Sequence, residues 1–586
     1  MLSLVALIMF SILVMLPSQA DAQAVCEVVD SGAGYVNAAT SSSSDVQTAI
    51  GNATSTGQTV CIPAGNATWT SMVTNCYDGS TPITASRACT AKWIHLRGAG
   101  VMPTHGAATS GGTTITVERG AGVIIWFESN DGPASVSNIK FITTQPFSTS
   151  GAGVLVWEDT DAGVTPCHAT PPAHVNVVHH ITYTDTSTPA QAPTGPNSIF
   201  LRVAVGRGLA YRNVYTGTAP NSLEAHLVSC GRMGKSVWEQ TRSMGDLDTT
   251  GRRKFYFENN ILTNIGQTTW DGTSRGVSRF NAYENSGNAG HGKDSSPNSM
   301  REFEAYKNTF TCTTGNTANF WISIRGGVQY VFQNTMDNIG AACGSDQGTD
   351  VATSAFILRF RCETGCFLES GVAGDYPAPQ QFGWGYITGG TTINRQGYTD
   401  QSGDDSTETS CVAGSSNTAN DADNPYAQDI EGSYFWSNYR SDQTTKIYDG
   451  SANNGGIGLI LSGADTCDLG QTMSTFIQEN REWYKQNDSF NGTTGVGIGA
   501  IASRPATCTT GVAYWATDEG GDWDTTGGSA NDGKLYKCTA TDTWTAYYTP
   551  KAYPHYLNTV VQGTASAVST TTIGAGVTLG PGTSVR

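Results

Sequence analysis

One phrase recurs along this chain: an aromatic residue, then any residue, then asparagine. It occurs in FYFENNILTN at 255–264 and in EAYKNTFTCT at 304–313. The full set of pairs is Tyr211/Asn213, Phe257/Asn259, Tyr283/Asn285, Tyr306/Asn308, Phe332/Asn334 and Trp436/Asn438. Their asparagines are 46, 26, 23, 26 and 104 residues apart, which corresponds to one, two or four units of about 23–26 residues. This spacing predicts a chain built from stacked coils of similar length.

The residues around the phrase predict that each coil consists of short β-strands. Stretches such as FYFEN and VQYVF are separated by turns rich in Gly, Asn and Thr, which favours a parallel β-solenoid. Coils would stack about 4.8 Å apart, so that equivalent side chains form ladders. We expect the aromatic rings to fill the interior. The asparagines, which tolerate left-handed backbone geometry and bind their counterparts above and below, would mark a corner of each coil.

A helix is predicted at the N-terminal end of the solenoid. Residues 41–65 favour an amphipathic helix with Asp45 as its N-cap and with Val46, Ala49 and Ile50 on one face, followed by a short strand. Such a helix would cover the open apolar end of the stack. The strands of the first coils are predicted at 92–100, 113–118, 122–129 and 136–143.

Composition and the first residues predict a secreted β-rich protein. Only 14% of the 586 residues are charged, and 69 are glycine. The apolar run at 2–16, followed by small residues at 20, 22 and 24, is typical of a cleaved signal peptide, here 1–22. An uncleaved membrane anchor is the alternative, because no Lys or Arg precedes the run. The formal charge of −17 would repel phosphate backbones, so nucleic acid is not expected as a partner.

The cysteine count is consistent with an extracellular or cell-surface location. Fourteen cysteines behind a secretion signal favour disulfides over zinc, since no paired CxxC spacing with histidines is present. Proximity suggests local bridges, although it does not establish the pairing. Examples are Cys76/Cys89, Cys362/Cys366 and Cys508/Cys538.

The sequence also resembles a known family. The stretches DVQTAIGNATSTGQTVCIPAG, WIHLRGAG, FENNIL, YKNTF and VFQNTM resemble the right-handed parallel β-helix proteins of the pectin-lyase-like superfamily, over residues 41–340 and onward to about 440. The segment from ASRPATCTTGVAYWATDEGG to LYKCTATDTWTAYYTPKAYPH resembles the C-terminal part of secreted bacterial β-helix proteins. The resemblance implies an all-β fold: a right-handed parallel β-helix with an N-terminal capping helix and a small C-terminal β-rich region.

The predicted domain organisation follows from these observations. After the signal peptide at 1–22, residues 23–440 would form the β-helix with loop insertions. Residues 441–558 would form a disulfide-containing β-rich region. Residues 559–586 would be a low-complexity tail or an added strand.

The resemblance suggests two kinds of chemistry for the β-helix and does not distinguish between them. Pectate lyases of this superfamily bind calcium with acidic side chains and use an arginine or lysine as base, whereas its hydrolases use carboxylate pairs. The densest polar cluster in this chain is 268–304. Since Arg279 and Glu304 are 25 residues apart, about one coil, they are expected on a single face. The lyase Arg-x-Pro-x-x-Arg motif is absent from the chain.

Candidate residues follow from this cluster and from the C-terminal aromatics. The catalytic candidates are Arg279, Glu304, His291 and Arg325. The substrate-binding candidates are Asp271, Arg275, Asp294, Arg301, Trp515 and Trp544. A structural row of ion pairs is the alternative for the charged residues, and a buried core is the alternative for the two tryptophans. No set of metal ligands is predicted; calcium is left open as a cofactor.

Histidines and acidic runs elsewhere are interpreted as structural. His174, His179 and His180 fall in a Val-rich strand whose side chains alternate between faces, which argues against a shared metal. The acidic residues at 402–429 and 518–524 are interpreted as solvated loops.

Three classes of function remain open from sequence. The chain could be a polysaccharide lyase or glycoside hydrolase. It could instead be a non-catalytic adhesin that binds extracellular polysaccharide. It could also be a structural solenoid that assembles into oligomers or filaments.

Overall fold

The structure is a computed structural model, and the part of the chain that it describes consists of separate ranges. These are residues 34–53, 57–78, 81–82, 90–117, 124–128, 134–143, 153–158, 176–186, 199–203, 208–217, 224–227, 254–265, 267–270, 275–290, 302–311, 322–324, 328–337, 356–361, 432–444, 446–447, 457–462, 479–481, 483–560, 572–573 and 577–578. The predicted signal peptide and tail fall almost entirely outside them. In these ranges no helix is long and apolar enough to cross a membrane.

The main body is a parallel β-helix with three faces, which confirms the predicted all-β fold class. Each coil contributes one strand to each face in a fixed order, here called sheets A, B and C. Sheet A contains the strands Tyr35–Asn37, Gln58–Ile62, Ile94–Gly98, Ser135–Ser137, Asn176–His179, Gly208–Tyr211, Phe255–Glu258, Arg275–Arg279, Glu302–Tyr306, Val328–Phe332, Ser433–Trp436 and Trp483–Lys485. Neighbouring strands within the sheet are parallel.

The other two faces follow the same order of coils. Sheet B contains Gly65–Trp69, Thr113–Val117, Ile139–Thr143, Thr182–Asp185, Val214–Thr216, Ile261–Thr263, Ala282–Glu284, Thr309–Thr311, Thr335–Asp337 and Tyr439–Arg440. Sheet C contains Val73–Thr74, Ile125–Glu128, Gly153–Glu158, Ile199–Val203, Glu224–Leu227, Gln267–Trp270, Gly287–Gly290, Ile322–Ile324, Phe356–Arg361 and Ile457–Ser462. The β-helix therefore continues past the boundary expected near 440.

Smaller elements decorate this body. A three-stranded sheet is formed by Cys76–Asp78, Thr81–Pro82 and Thr90–Ala91. Near the C-terminus a four-stranded sheet comprises Val496–Gly499, Ala513–Ala516, Lys534–Ala540 and Thr543–Tyr548. The remaining elements are the helices Ser43–Asn52 and Tyr556–Val560, the 3-10 helix Ile501–Ser503, and the paired strands Thr572–Ile573 and Val577–Thr578.

Buried asparagines form a ladder at the corner between sheets A and B. Its members are Asn213, Asn260, Asn281, Asn308, Asn334 and Asn438. From Asn213 to Asn334, each side-chain nitrogen donates to the side-chain oxygen of the next asparagine, over distances of 2.8–3.0 Å. All but the first also donate to a main-chain carbonyl of the preceding coil at 2.8–3.0 Å, and Asn213 does so at 3.2 Å. The ladder therefore binds each coil to both of its neighbours.

The repeated phrase predicted four of the ladder positions correctly and missed the other two. In FENNIL, Asn259 has a φ of 56° and Asn260 is the ladder member. Asn281, which follows Phe280, has no aromatic two residues before it and was missed. Asn285 belongs to a second corner, between sheets B and C, where it donates to Asn264 at 2.9 Å. At the ladder corner the left-handed backbone belongs to the residue before the asparagine.

The prediction that the repeated aromatics fill the interior holds for only two of them. Phe257 and Tyr283 belong to the core inside the β-helix. The other four rings, Tyr211, Tyr306, Phe332 and Trp436, belong to a second buried cluster on the outer face of sheet A. The residue two positions before a ladder asparagine faces outward, so these rings need a cover from elsewhere in the chain.

The N-terminal helix covers the end of the stack as predicted, with a different cap. It spans Ser43–Asn52, and its N-cap is Ser42, whose hydroxyl accepts from the main-chain nitrogen of Asp45 at 3.2 Å. Val46, Ala49 and Ile50 are buried in the same core as Trp69. The helix thus closes the apolar interior at this end.

The cover of the outer face is the C-terminal module, defined here as residues 486–558. It packs Trp515 and Tyr548 of its β-sheet, and Trp523 from the loop between its second and third strands, against sheet A. The disulfide Cys508–Cys538 closes the module, which confirms one of the three suggested pairs. Cys61 and Cys76 are also disulfide-bonded. Cys89, Cys362 and Cys366 lie outside the described residues.

Removing one member of the ladder should destabilise the β-helix. Replacing Asn308 with alanine removes the hydrogen bonds that it makes with the Ser278 carbonyl and with the main-chain nitrogen of Asn281, and it removes one acceptor of the Asn281 side-chain amide. We expect Asn308→Ala to lower the free energy of unfolding by about 3 kcal/mol. The measurement is chemical denaturation followed by circular dichroism. The adjacent Thr309 is exposed, so Thr309→Val serves as control and should change the stability little; equal midpoints for both variants would contradict the structural role of the ladder.

Candidate functional site

The outer face of sheet A carries a column of residues in register across six coils. Tyr211, Glu258, Arg279, Tyr306, Phe332 and Trp436 are opposite one another on successive strands. At the aromatic end, the ring of Trp515 lies 5.3 Å from Phe332 and 5.0 Å from Trp436. At the charged end, Glu258 and Arg279 are completely buried. The module therefore covers both an apolar and an ionic surface.

Arg279 holds the module in place through main-chain carbonyls. Its Nε and Nη2 lie 2.8 Å and 2.7 Å from Glu258 Oε2, and Nη1 donates to Tyr306 at 2.9 Å. The same guanidinium donates to the carbonyls of Lys551 at 2.6 Å and Ala552 at 3.1 Å. Every nitrogen of the guanidinium is thus engaged.

Glu258 completes this contact from the other side of the ion pair. Its Oε1 accepts from the main-chain nitrogen of His555 at 3.1 Å and from the side-chain amide of Asn558 at 2.9 Å. Burial alone would lower the pKa of Arg279, but Tyr306 and Glu258 outweigh it and the pKa is raised. A basic catalyst needs the opposite shift. The arrangement of Arg279 is therefore that of a structural ion pair.

Next to this ion pair, a cleft of about 550 Å³ lies between sheet A and the module. Lys254, Tyr256 and Glu304 form its floor. Its walls belong to the module and are formed by Gly520, Gly521, Asp522, Trp523, Lys534, Ala546, Tyr547, Tyr548, Thr549, Pro550, Lys551 and Ala552. Rings and charged groups thus line the same concave surface, which is typical of a ligand-binding site.

The floor contains a buried lysine between two carboxylates. Lys254 Nζ contacts both Glu302 Oε1 and Glu304 Oε1, and all three side chains are 3% exposed. The hydroxyl of Tyr548 donates to Glu304 Oε2. Arg275 Nη1 lies 4.0 Å from Glu302 Oε2. The cluster joins three adjacent strands of sheet A to the module.

Burial and charge act in opposite directions on this cluster. Burial would lower the pKa of Lys254, but the two carboxylates outweigh it, and the pKa is raised. Burial raises the pKa of Glu304, and Lys254 only partly opposes the shift. The pKa of Tyr548 is also raised, by burial and then by Glu304. The surroundings thus hold Lys254 as an ammonium and shift Glu304 toward its protonated form.

Arg279 and Glu304 lie on the same outer face of adjacent strands, but they do not form a pair. Arg279 is opposite Tyr306, and Glu304 is opposite Val277. Their ionic partners are Glu258 and Lys254 respectively. Sequence reasoning missed these two partners. Lys254 precedes Glu304 by 50 residues, about two coils, and that spacing is the only signal that could have indicated the contact.

The other predicted site residues form three groups: five that lie outside the described residues, the buried Arg275, and two tryptophans. His291, Arg325, Asp271, Asp294 and Arg301 lie outside the described residues. Arg275 is buried beside Glu302.

The two predicted tryptophans do not line the cleft. Trp515 is 1% exposed and is part of the contact with sheet A. Trp544 is half-buried; its Nε1 donates to the Pro505 carbonyl at 2.8 Å, and Arg504 lies 5.3 Å from the ring centre. Both rings support the module itself. The aromatic residues that line the cleft are Tyr256, Trp523, Tyr547 and Tyr548.

His179 and His180 are closer together than expected from the alternation of side chains between the two faces of a strand. The strand ends at His179, and His180 has a φ of 51°, so both rings turn to the same side of the corner. Their Nδ1 atoms are 2.8 Å apart. Burial, and then neighbouring charges, lower the pKa of His179 well below its ordinary value and that of His180 to about 3. In the described part of the chain no group of three or more His, Cys, Asp or Glu could hold a metal ion.

Comparison with known proteins adds no name to this site. No protein-family model, curated protein or solved structure matches the chain. The assignment of function therefore rests on the geometry described above.

Breaking the Arg279–Glu258 pair should release the module. Arg279→Leu leaves Glu258 buried without its cation, and we expect a loss of about 3–5 kcal/mol in the free energy of unfolding. Loss of the contact is measured as faster cleavage between the β-helix and the module in limited proteolysis. The double variant Arg279→Leu/Glu258→Leu should recover part of the loss. Lys446→Ala removes a solvent-accessible pair with Asp488 and should cost less than about 1 kcal/mol; an equal effect of Arg279→Leu and Lys446→Ala would contradict the role of Arg279.

A second ionic contact makes docking of the module sensitive to acid. Lys307 on the β-helix contacts Asp524 on the module. Burial would raise the pKa of Asp524, but its hydrogen bonds with Lys307 and Thr526 outweigh this effect, and the pKa is lowered from 3.8. The stabilisation is therefore present above pH 3.8 and is lost as the pH falls through the lower folded-state pKa.

Comparison of Asp524→Asn with the native chain tests this contact. We expect the native chain to be the more stable at neutral pH and the difference to shrink in strong acid, as measured by urea denaturation at several pH values. The exposed Asp522 provides the control, since Asp522→Asn should leave the urea midpoint nearly unchanged. A stability difference for Asp524→Asn that does not depend on pH would contradict the ionic contact.

Proposed function

We propose that this chain is a secreted member of the pectin-lyase-like superfamily that binds extracellular polysaccharide in the cleft beneath the C-terminal module. The proposal is supported by the three-faced parallel β-helix, the helix across its N-terminal end and the repeated motifs of the sequence. The superfamily suggests carbohydrate as the ligand class. The cleft suggests where on the chain the sugar would lie.

The cleft is the single observation that carries the proposal. Its volume of about 550 Å³ lies within the range of about 300–1,000 Å³ found for ligand sites. Tyr547 is half-buried on its wall and offers a ring with a polar edge, which suits the mixed apolar and hydroxylated surface of a sugar. Asp522, Lys534 and Thr549 on the same walls supply hydrogen-bonding groups.

The same geometry favours binding over cleavage. All guanidinium nitrogens of Arg279 are engaged by Glu258, Tyr306 and two carbonyls of the module. A lyase of this superfamily would need an arginine or lysine free to remove a proton. Lys254, a buried cation that lines the cleft, is held between two carboxylates. Recognition without turnover is therefore the function best supported by the site.

Binding should depend on Tyr547. We expect Tyr547→Ala to weaken glycan binding roughly tenfold, because a ring on the cleft wall is lost. The full chain is tested by affinity electrophoresis against a panel of acidic and neutral polysaccharides, with and without calcium. Tyr556→Ala is the matched control: Tyr556 is a more exposed tyrosine of the same region and does not line the cleft.

The outcomes of this experiment separate the three classes of function. Binding that falls for Tyr547→Ala and not for Tyr556→Ala supports the proposal. New reducing ends or unsaturated uronates would show that the chain cleaves its ligand. Filaments without binding to any glycan of the panel would favour a structural solenoid and overturn the proposal.

A further inference from the structure

Lys254 and Glu304 at the floor of the cleft, together with the neighbouring Glu302, have the arrangement needed to form a covalent cross-link. We propose that Lys254 and Glu304 condense to an intramolecular isopeptide bond, with Glu302 accepting the proton. The inference rests on the buried cluster itself and does not depend on glycan binding. It concerns a modification of the chain by its own side chains.

The first argument is the placement of the three groups. Lys254 directly precedes the strand Phe255–Glu258, whereas Glu302 and Glu304 belong to Glu302–Tyr306, two strands further along sheet A. The lysine side chain spans the intervening strand and brings Nζ into contact with an oxygen of each carboxylate. The nucleophile and the acyl group are thus already in contact in the folded chain, which removes most of the entropic cost of bringing them together.

The second argument is the exclusion of water. Lys254, Glu302 and Glu304 are each 2% exposed, and the rings of Tyr256 and Tyr548 line the same space. Burial favours the neutral form of Glu304, whereas the two carboxylates outweigh burial at Lys254 and keep it an ammonium, so a neighbouring base is needed to give the neutral amine. The amine is nucleophilic and the acid is electrophilic only in these neutral forms.

The third argument assigns different roles to the two glutamates. The Tyr548 hydroxyl donates to Glu304 Oε2, which polarises this carboxyl group and stabilises the oxyanion that forms when it is attacked. The raised pKa of Glu304 also favours its protonated form. Glu302 contacts the same Lys254 Nζ and has Arg275 as a second cationic neighbour, 4.0 Å away, so it is placed to take a proton from the ammonium. Glu304 is therefore the acyl group and Glu302 is the base.

The reaction balances without any oxidant or cofactor. Glu302 carboxylate takes one proton from the Lys254 ammonium, and the neutral Nζ attacks Cδ of protonated Glu304. The new C–N bond forms, and Nζ loses a further proton to the departing hydroxyl, which leaves as water. The products are one amide, one water molecule and protonated Glu302, with no net change of charge.

Such a bond would connect the coils along the axis of the β-helix. Hydrogen bonds between coils can break one at a time. An amide between strands two steps apart would hold three strands together even when the hydrogen bonds between them break. Glu304 also contacts Tyr548 of the module, so the cross-link lies where the module meets the β-helix.

Mass spectrometry tests the proposal on the native protein. The intact chain should be lighter than its sequence by one water, after correction for disulfides and for the observed N-terminus. Trypsin should yield a branched peptide that joins residues 254–275 to residues 302–307, with cleavage blocked after Lys254. Fragmentation of this peptide should place the bond on Glu304.

Two variants test the roles of the groups. Lys254→Arg cannot form the amide and should restore the full mass. Glu302→Gln removes the base. This variant should also restore the full mass, or it should form the amide severalfold more slowly. Lys446→Arg is the control: Lys446 contacts the carboxylate of Asp488 in a solvent-accessible pair, and this variant should keep the deficit of one water.

The outcomes are unambiguous. A folded native chain with its full mass, with cleavage after Lys254 and with separate peptides 255–275 and 302–307, would overturn the proposal. A branched peptide with its bond on Glu302 would overturn the assignment of roles. An unchanged deficit in Glu302→Gln would overturn the role of Glu302 as the base.

Discussion

The asparagine ladder is the interaction on which the register of the β-helix depends. At each step one side-chain amide satisfies the main chain of the preceding coil and the side chain of the next. Because these groups are buried, a shift in register would leave several donors and acceptors without partners. The separation of 104 residues between Asn334 and Asn438 does not interrupt the ladder. Coils of unequal length are therefore tolerated, provided that the corner is kept.

Register at the corner also determines what faces outward on sheet A. The residue two positions before each ladder asparagine forms a column that changes from tyrosine to an ion pair and back to aromatic rings. If this column were exposed, its rings would form an apolar patch on the surface, and the ion pair beside them would lose its buried surroundings. The C-terminal module resolves this by packing its own rings on the aromatic part and its main-chain groups on Arg279 and Glu258.

Burial of these charges is stabilising only because their hydrogen bonds are supplied by the module. Desolvation of an arginine and a glutamate costs several kcal/mol per ion, and the mutual attraction of the pair offsets it only with further hydrogen bonds. The carbonyls of Lys551 and Ala552 and the amide of His555 provide them. The cleft lies beside this contact, so a rigidly docked module is what would keep its walls in place. A covalent bond between Lys254 and Glu304 would make the floor equally rigid and would remove two charges from it.

Several features of the structure could be predicted from sequence because they are local or periodic. The spacing of the repeated phrase was enough to predict parallel coils, and the pattern around Val46, Ala49 and Ile50 was enough to predict the capping helix. The pair Cys508–Cys538 followed from proximity. The period also placed Arg279 and Glu304 on one face of adjacent strands.

Whether an aromatic residue faces the core or the module was decided only by the tertiary structure. Phe257 and Tyr306 occur in nearly identical phrases, yet one is inside the β-helix and the other outside, because FENNIL contains two asparagines and the second one is in the ladder. The module partners of Arg279 and Glu304 come from residues more than 200 positions away, and no repeat in the sequence encodes that distance. The sequence by itself determined the coil and its corner, since both depend on near neighbours and on the period. Only the folded chain determined the cleft, since it exists where two distant segments bury each other's charges.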